Sequence, residues 1–180
     1  MIRKYGLTLI VFSLVVSSFS GCGYTTRGFI DPQYQTIYIR PVVNKIKVTG
    51  ETQEFGDFRS VPPFLDQAFT RALISRFNLD GHLRVTNEEN ADLTVECTMT
   101  DYKQGTLRYD NDDRVEEYRL KLYYTYRLLD SVGEVVKKGN LVANSEYALV
   151  GAAARSEDQA IAELLNDASR RLVDDIIEAW

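Results

Sequence analysis

From Tyr118 to Leu129 the sequence alternates without a break. Tyr118, Leu120, Leu122, Tyr124, Tyr126 and Leu128 fall on one side, and Arg119, Lys121, Tyr123, Thr125, Arg127 and Leu129 on the other. A period of two places successive side chains on opposite faces, so the run predicts a long strand with one face packed and one face wet. Leu93, Val95, Cys97 and Met99 repeat the pattern against Thr94, Glu96, Thr98 and Thr100. Two such runs commit the chain to a sheet that is covered on one side only.

The remaining segments supply the cover. Leu65, Phe69, Ala72, Leu73 and Phe77 recur at helical spacing, with Pro62 and Pro63 suited to the first helical positions and Ser60 or Val61 to the cap. Asn78 to Gly81 stops that helix. A final helix starts at Ser156, which has capping-box spacing to Gln159, and carries a stripe of Ile161, Leu165, Ala168, Leu172 and Ile176 with Leu164, Ile177 and Trp180 on its margin. Further strands are expected from Tyr34 to Val43, ending near Pro41, and from Val135 to Tyr147 after a hairpin at Asp130 to Glu134. Leu83 to Val85 reads as a short connecting strand or turn, and Asn44 to Arg59 as a loop. The order predicts an α+β domain: a small, mostly antiparallel or mixed four-stranded sheet with two helices packed on one face.

The first residues stand apart. Arg3 and Lys4 precede an uncharged apolar stretch from Tyr5 to Phe19 that ends in Ser20-Gly21-Cys22, the order of a secretory signal peptide. The competing reading is an uncleaved anchor, but the stretch is shorter than the ~20 residues a spanning helix needs. Phe19-Ser20-Gly21-Cys22 resembles a bacterial lipobox, whose Cys is acylated and becomes the new N-terminus. Several tens of buried methylenes at ~0.8 kcal/mol each hold such a chain stably on a membrane. By resemblance to lipoprotein sorting, Gly23 after the Cys favours the outer membrane. The expected organisation is a signal peptide over 1–21, a lipidated tether over 22–33 and one domain over 34–180. The mature chain then has 19 Lys+Arg against 26 Asp+Glu, which moves the formal charge from −5 to −7. With Cys22 lipidated, Cys97 is left with no Cys to pair with.

An acidic total argues against nucleic acid as a partner. Two Cys and one His offer too few ligands for a structural zinc site and little from which to build a His-based catalytic apparatus. Cys97, on the apolar side of a strand, reads as a buried core thiol, and His82 as a surface residue. Asp110-Asn111-Asp112-Asp113 lacks the Gly and Glu of a calcium loop and reads as a solvated turn. No catalytic constellation, metal site or cofactor fingerprint is present, and the chain reads as a non-enzyme. Charge is unevenly spread: seven acids against three bases lie between Arg155 and Trp180, while Arg40, Lys45 and Lys47, and again Arg119, Lys121 and Arg127, stand in stretches without an acid. Arg119, Lys121 and Arg127 therefore project from the uncovered face beside Tyr123 and Thr125, a surface suited to an anionic amphiphile. A solvated face whose cations deter edge pairing is the alternative.

Taken together these residues resemble the LptE family of lipopolysaccharide-assembly lipoproteins. The resemblance rests on Cys22-Gly23-Tyr24 with Gly28, Thr36-Ile37-Tyr38-Ile39, the helix from Phe64 to Phe77, Leu83-Arg84-Val85, Ala91-Asp92-Leu93, Tyr102, and Ile176-Ile177-Glu178-Ala179-Trp180. It implies a lipoprotein lipidated at Cys22, anchored in the outer membrane and facing the periplasm or lying within a barrel lumen. There it would plug and stabilise the LptD β-barrel and assist lipopolysaccharide insertion into the outer leaflet. Arg119, Lys121 and Arg127 come from strand parity, not from that resemblance. The rival readings are a lipoprotein activator of a cell-wall synthesis enzyme and a lipoprotein hydrolase. About a dozen residues between Cys22 and the first strand, at ~3.3–3.6 Å each, are a short reach for the former. The missing nucleophile–base set counts against the latter. In cells fed labelled palmitate, Cys22→Ser should abolish incorporation and move the chain from the membrane to the soluble fraction.

Overall fold

Leu93–Met99 and Tyr118–Leu129 do form strands, and they pair with each other. In the computed structural model, which describes residues 31, 33–47, 61–151 and 154–178, the elements run β1 (Thr36–Ile39), β2 (Val43–Asn44), α1 (Leu65–Asp80), β3 (Arg84–Val85), a 3-10 turn (Glu88–Asn90), β4 (Leu93–Tyr109), β5 (Val115–Asp130), β6 (Val135–Ala148) and α2 (Glu157–Glu178). The expected signal peptide, Cys22, nearly all of the tether, the segment 48–60 and Trp180 lie outside the described residues. The sheet is mixed and open, in the order β3-β1-β4-β5-β6, with β2 also on β4. β1 is parallel to β3 and β4, whereas β4, β5 and β6 form an antiparallel meander.

The sheet has six strands where four were expected. Two of the six, β2 and β3, have two residues each, too few to show a period. Pro41 has no N–H for a ladder, so the strand expected from Tyr34 to Val43 breaks there into β1 and β2. A second departure is the start of α1. Pro62 precedes another proline, whose ring bars it from the helical region, so the helix begins after the pair. Phe64 occupies the N-cap position in left-handed geometry (φ 57°) and makes no side-chain cap. At the other end Gly81, at φ 78°, closes α1 by donating its N–H to the Phe77 carbonyl at 3.1 Å.

Both hairpin turns use one device. Asp110 Oδ1 accepts the N–H groups of Asp112 and Arg114 at 2.8 and 2.9 Å, and Asp130 Oδ1 accepts those of Val132 and Glu134 at 3.0 and 2.8 Å. The acidic run at 110–113 is thus a turn between strands, as expected. α2 opens on the expected capping box, with Gln159 N–H donating to Ser156 Oγ and Ser156 N–H to Gln159 Oε1, both at 3.2 Å. Leu165, Ala168, Leu172 and Ile176 of the expected stripe are buried, Ile161 is only partly so, and the face widens to take in Ala160, Leu164 and Val173.

One face of the sheet is the core. Ile37, Leu93, Val95, Met99, Leu120, Leu122 and Leu128 pack there against Phe69, Leu73 and Phe77 of α1 and Leu164, Leu172 and Ile176 of α2. Cys97 lies among them, and burial pushes its thiol up to about 12. The core tyrosines bring hydroxyls that need partners. Tyr124 meets Phe69 edge-on at 5.3 Å and donates to the Ala168 carbonyl of α2 at 2.8 Å. Tyr126 donates to Asp175 Oδ2, and Lys137 lies 3.5 Å from the other carboxylate oxygen. Gly139 makes that reach possible: a Cβ there would sit 2.6 Å from Tyr126 Cε1 and 3.3 Å from Asp175 Oδ2. The first strand is stitched in by Asp92, whose Oδ2 accepts the Gln35 and Thr36 N–H groups at 2.9 Å each and the Thr36 hydroxyl at 2.7 Å.

Two outcomes follow. Gly139→Ala should destabilise the domain by ~1–3 kcal/mol in urea unfolding, as overpacking does, and by less in a Tyr126→Ala background where the ring is gone. Hydrogen bonds, foremost the one from Gln35 N–H, hold the Asp92 carboxyl below its ordinary 3.8. Its stabilising contribution is therefore complete above that value and lost as pH falls through the lower folded-state value. Asp92→Asn should flatten the fall in melting temperature below pH 4.

Candidate functional site: the basic face of the sheet

With both helices on one side, no described element covers the opposite face of β4, β5 and β6. On β5 it carries Arg119, Lys121, Tyr123, Thr125 and Arg127, the side assigned to them by parity. They do not form one cluster. Arg119 and Lys121 line a concavity of about 290 Å³ together with Lys103, Gly105, Thr106, Leu107 and Tyr123. Arg127 lines a second one of about 610 Å³, with Arg40, Lys45, Glu96 and a row of threonines that includes Thr98, Thr100 and Thr125. Six residues of strand at ~3.3–3.4 Å each separate Lys121 from Arg127.

The two ends differ electrostatically. In the larger concavity Glu96 sits between Arg127, at 3.5 Å, and Arg40, to which it is bonded directly. Arg40 also reaches Glu88 at 2.6 Å, and bonds to Glu88 first and Glu96 second raise its pKa above the ordinary arginine value. Arg40 and Arg127 thus share Glu96, while Lys45 makes no ion pair among the described residues. In the smaller concavity Arg119 is paired with Glu146 Oε1 through Nε at 2.7 Å and a terminal nitrogen at 2.6 Å. Lys121 makes no ion pair among the described residues, and Lys103 has only Asp101 at 4.0 Å. The register places Lys103 directly across from Lys121. Like charges opposed on adjacent strands repel, so this pair raises the free energy of the empty sheet. An anion between them would remove the penalty.

Lys103 was not legible from the sequence. Alternation continued from Leu93 would put every odd-numbered residue of β4 inside, Lys103 among them. The ladder instead slips between Met99 and Asp101, and the bulge turns Tyr102 into the core and Lys103 onto the open face. The expected strand end near Thr100 is this bulge, and β4 continues to Tyr109. Among the described residues no three His, Cys, Asp or Glu groups are placed to hold a metal ion. No described helix is long and apolar enough to cross a membrane.

Comparison with known proteins fixes the family. The model of the LptE lipopolysaccharide-assembly family matches residues 34–179. The chain belongs to that family. No curated protein matches it. Among solved structures, lipoprotein B from Nitrosomonas europaea is similar at 14% identity, with 80% of this chain and 83% of that one covered and a TM-score of 0.51. Rare lipoprotein B from Shewanella oneidensis is similar at 11% identity over 77% of this chain and 92% of that one, with a TM-score of 0.42. A lipoprotein from Caulobacter crescentus is similar at 16% over 77% and 87%, with a TM-score of 0.48. At such identities a likeness speaks to the fold alone.

Within this LptE-family domain, the opposed lysines make a measurable demand. Neutralising one, as in Lys121→Gln, should leave the empty protein unchanged or stabilise it by ~0.2–1 kcal/mol at low salt. Added salt should erase the gain by screening the repulsion it relieves.

Proposed function

We propose that this chain is an outer-membrane lipoprotein held by lipid on Cys22, which seats in and stabilises an LptD-like β-barrel and assists delivery of lipopolysaccharide to the outer leaflet. The reading rests on membership of the LptE lipopolysaccharide-assembly family over residues 34–179. The open face supplies the chemistry for the ligand. Lipopolysaccharide presents phosphates beside acyl chains, and the smaller concavity offers Lys103, Arg119 and Lys121 beside Tyr123 and Leu107. A guanidinium forks phosphate oxygens while ammonium groups serve as point charges. Arg127 belongs to the same face but lies in the other concavity, 3.5 Å from Glu96, and Arg119 is held by Glu146 at 2.6 Å, which leaves Lys103 and Lys121 as the cations with least competition for an anion. The domain acts by binding and assembly, and no step in this role requires bond chemistry.

The lipidated chain, affinity-purified from membranes, should bring down an outer-membrane β-barrel. Recovery of peptidoglycan enzymes in its place would assign the chain to the activators of cell-wall synthesis. For the ligand, Arg119→Glu combined with Lys121→Glu should weaken lipopolysaccharide binding about tenfold or more, the scale of losing two charge-assisted contacts, with the circular dichroism of the domain unchanged. Undiminished binding would remove the smaller concavity from the mechanism.

A further inference from the structure

The larger concavity on the open face, of about 610 Å³, has the size of a small-molecule site, and the role proposed above makes little use of it. Its floor is three rows of side chains laid across neighbouring strands. Arg40, Glu96 and Arg127 make the first, with Glu96 bonded to Arg40 and 3.5 Å from Arg127. Val43, Thr98 and Thr125 make the second, since Thr98 is level with Val43 on one side and Thr125 on the other. Lys45 and Thr100 make the third, where the Lys45 N–H donates to the Met99 carbonyl at 3.0 Å.

The middle row offers hydroxyls. Threonines opposed on adjacent strands can bond to each other. Thr98 and Thr125 are half-buried, yet neither hydroxyl has a hydrogen-bond partner among the described residues. Thr100 donates to the Tyr123 carbonyl at 3.1 Å, which leaves its lone pairs to accept. A hydroxyl is one donor and two acceptors, so the row matches a ligand whose own groups both give and take hydrogen bonds. A saccharide is such a ligand, and Val43 at the margin can meet the C–H side of a ring.

The charges select among saccharides. The two guanidinium groups that could fork a phosphate already share Glu96, and that carboxylate repels an anion laid beside it. Lys45 stands at the opposite end and makes no ion pair among the described residues. One uncommitted ammonium is the counter-charge of one carboxylate.

We propose that this concavity binds a carboxylated sugar, with the carboxylate at Lys45, the ring over Thr98 and Thr125, and a hydroxyl at the far end donating to Glu96. The site is separate from the smaller concavity, whose Lys103, Arg119 and Lys121 suit a phosphate. Its ligand is defined by the lining alone and does not depend on the barrel or on a lipid.

The test is saturation-transfer NMR on the full chain in detergent, with affinities from titration. The probes are glucuronate, N-acetylneuraminate and 3-deoxy-octulosonate, set against glucose, acetate and a glutamate-containing tetrapeptide. At least one sugar acid should bind about tenfold or more tighter than both glucose and acetate, the scale of one charge-assisted bond. Lys45→Gln should remove its advantage over glucose. Thr98→Val combined with Thr125→Val should remove its advantage over acetate, and the branched valines keep the strands, as circular dichroism will check. Sugar acids that bind no tighter than acetate overturn the inference. So does a loss with Lys45→Gln and none with the threonine pair, which would mark a bare counter-ion. Tighter binding of the tetrapeptide than of every sugar acid would show a peptide site and overturn it as well. A chain that binds lipopolysaccharide but no sugar acid overturns this inference alone. One that binds a sugar acid but no lipopolysaccharide leaves it standing and removes the ligand of the proposed function.

Discussion

A sheet covered by a single layer of helices has one face to bury, and the burial here turns on tyrosines. Tyr124 and Tyr126 lie side by side on β5 with almost no exposure, and each must find a partner for its hydroxyl at the far side of the core. Tyr124 finds the Ala168 carbonyl and Tyr126 the Asp175 carboxylate, seven residues apart on α2. Two turns of helix at ~5.4 Å exceed two residues of strand at ~3.4 Å, so the two side chains take up the difference. The pair ties α2 to β5 at two points along its length. Gly139 is part of the same arrangement, because the Tyr126 ring crosses β6 where a side chain would otherwise stand.

Once α2 is fixed in this way, the bulge at Thr100 decides what the rest of β4 can do. Before it, Val95, Cys97 and Met99 point into the core; after it, Tyr102 and Gln104 do. Gln104 Nε2 donates to the Tyr147 hydroxyl at 2.8 Å, so the polar groups past the bulge answer each other across the sheet. The same slip places Lys103 opposite Lys121. One inserted residue thereby completes the core at that end and brings a second ammonium to the open face. A straight strand would have had neither result, with Lys103 turned inside and Tyr102 outside.

The alternating runs could be read directly because each residue's neighbours two positions away share its environment. That held for Leu120 to Leu128, where every second residue is buried as the pattern demands, and for Leu93 to Met99, whereas Leu129, expected on the wet face, is buried beside a register shift. The capping box at Ser156 and Gln159 was equally readable, since the two side chains involved are near in sequence. What could not be read was non-local. β2 and β3 are strands only because β4 and β1 lie beside them, and two residues carry no period of their own. The bulge left no local mark, because Thr100 is as ordinary on a wet strand as in a bulge. The grouping of Arg119 with Lys103, and of Arg127 with Arg40, depends on strand pairing between segments far apart in the chain.

Net charge is a poor guide to the ligand of such a domain. Most acids of the last segment lie on α2 and are held there: Asp167 is bonded to Arg170 and Arg171, each at 2.7 Å. Burial raises the Asp167 carboxyl, yet those bonds from Arg171 and Arg170 bring it below its ordinary value, so it remains a carboxylate. Asp175 takes the Tyr126 hydroxyl on the helix side of the sheet, and Asp167 reaches the edge of β6 at Asn144. An anion approaching the open face therefore meets Lys103, Arg119 and Lys121 first. An acidic protein can bind a phosphate because the binding free energy is set by the groups on one face. The sum over all of them governs solubility and long-range encounter.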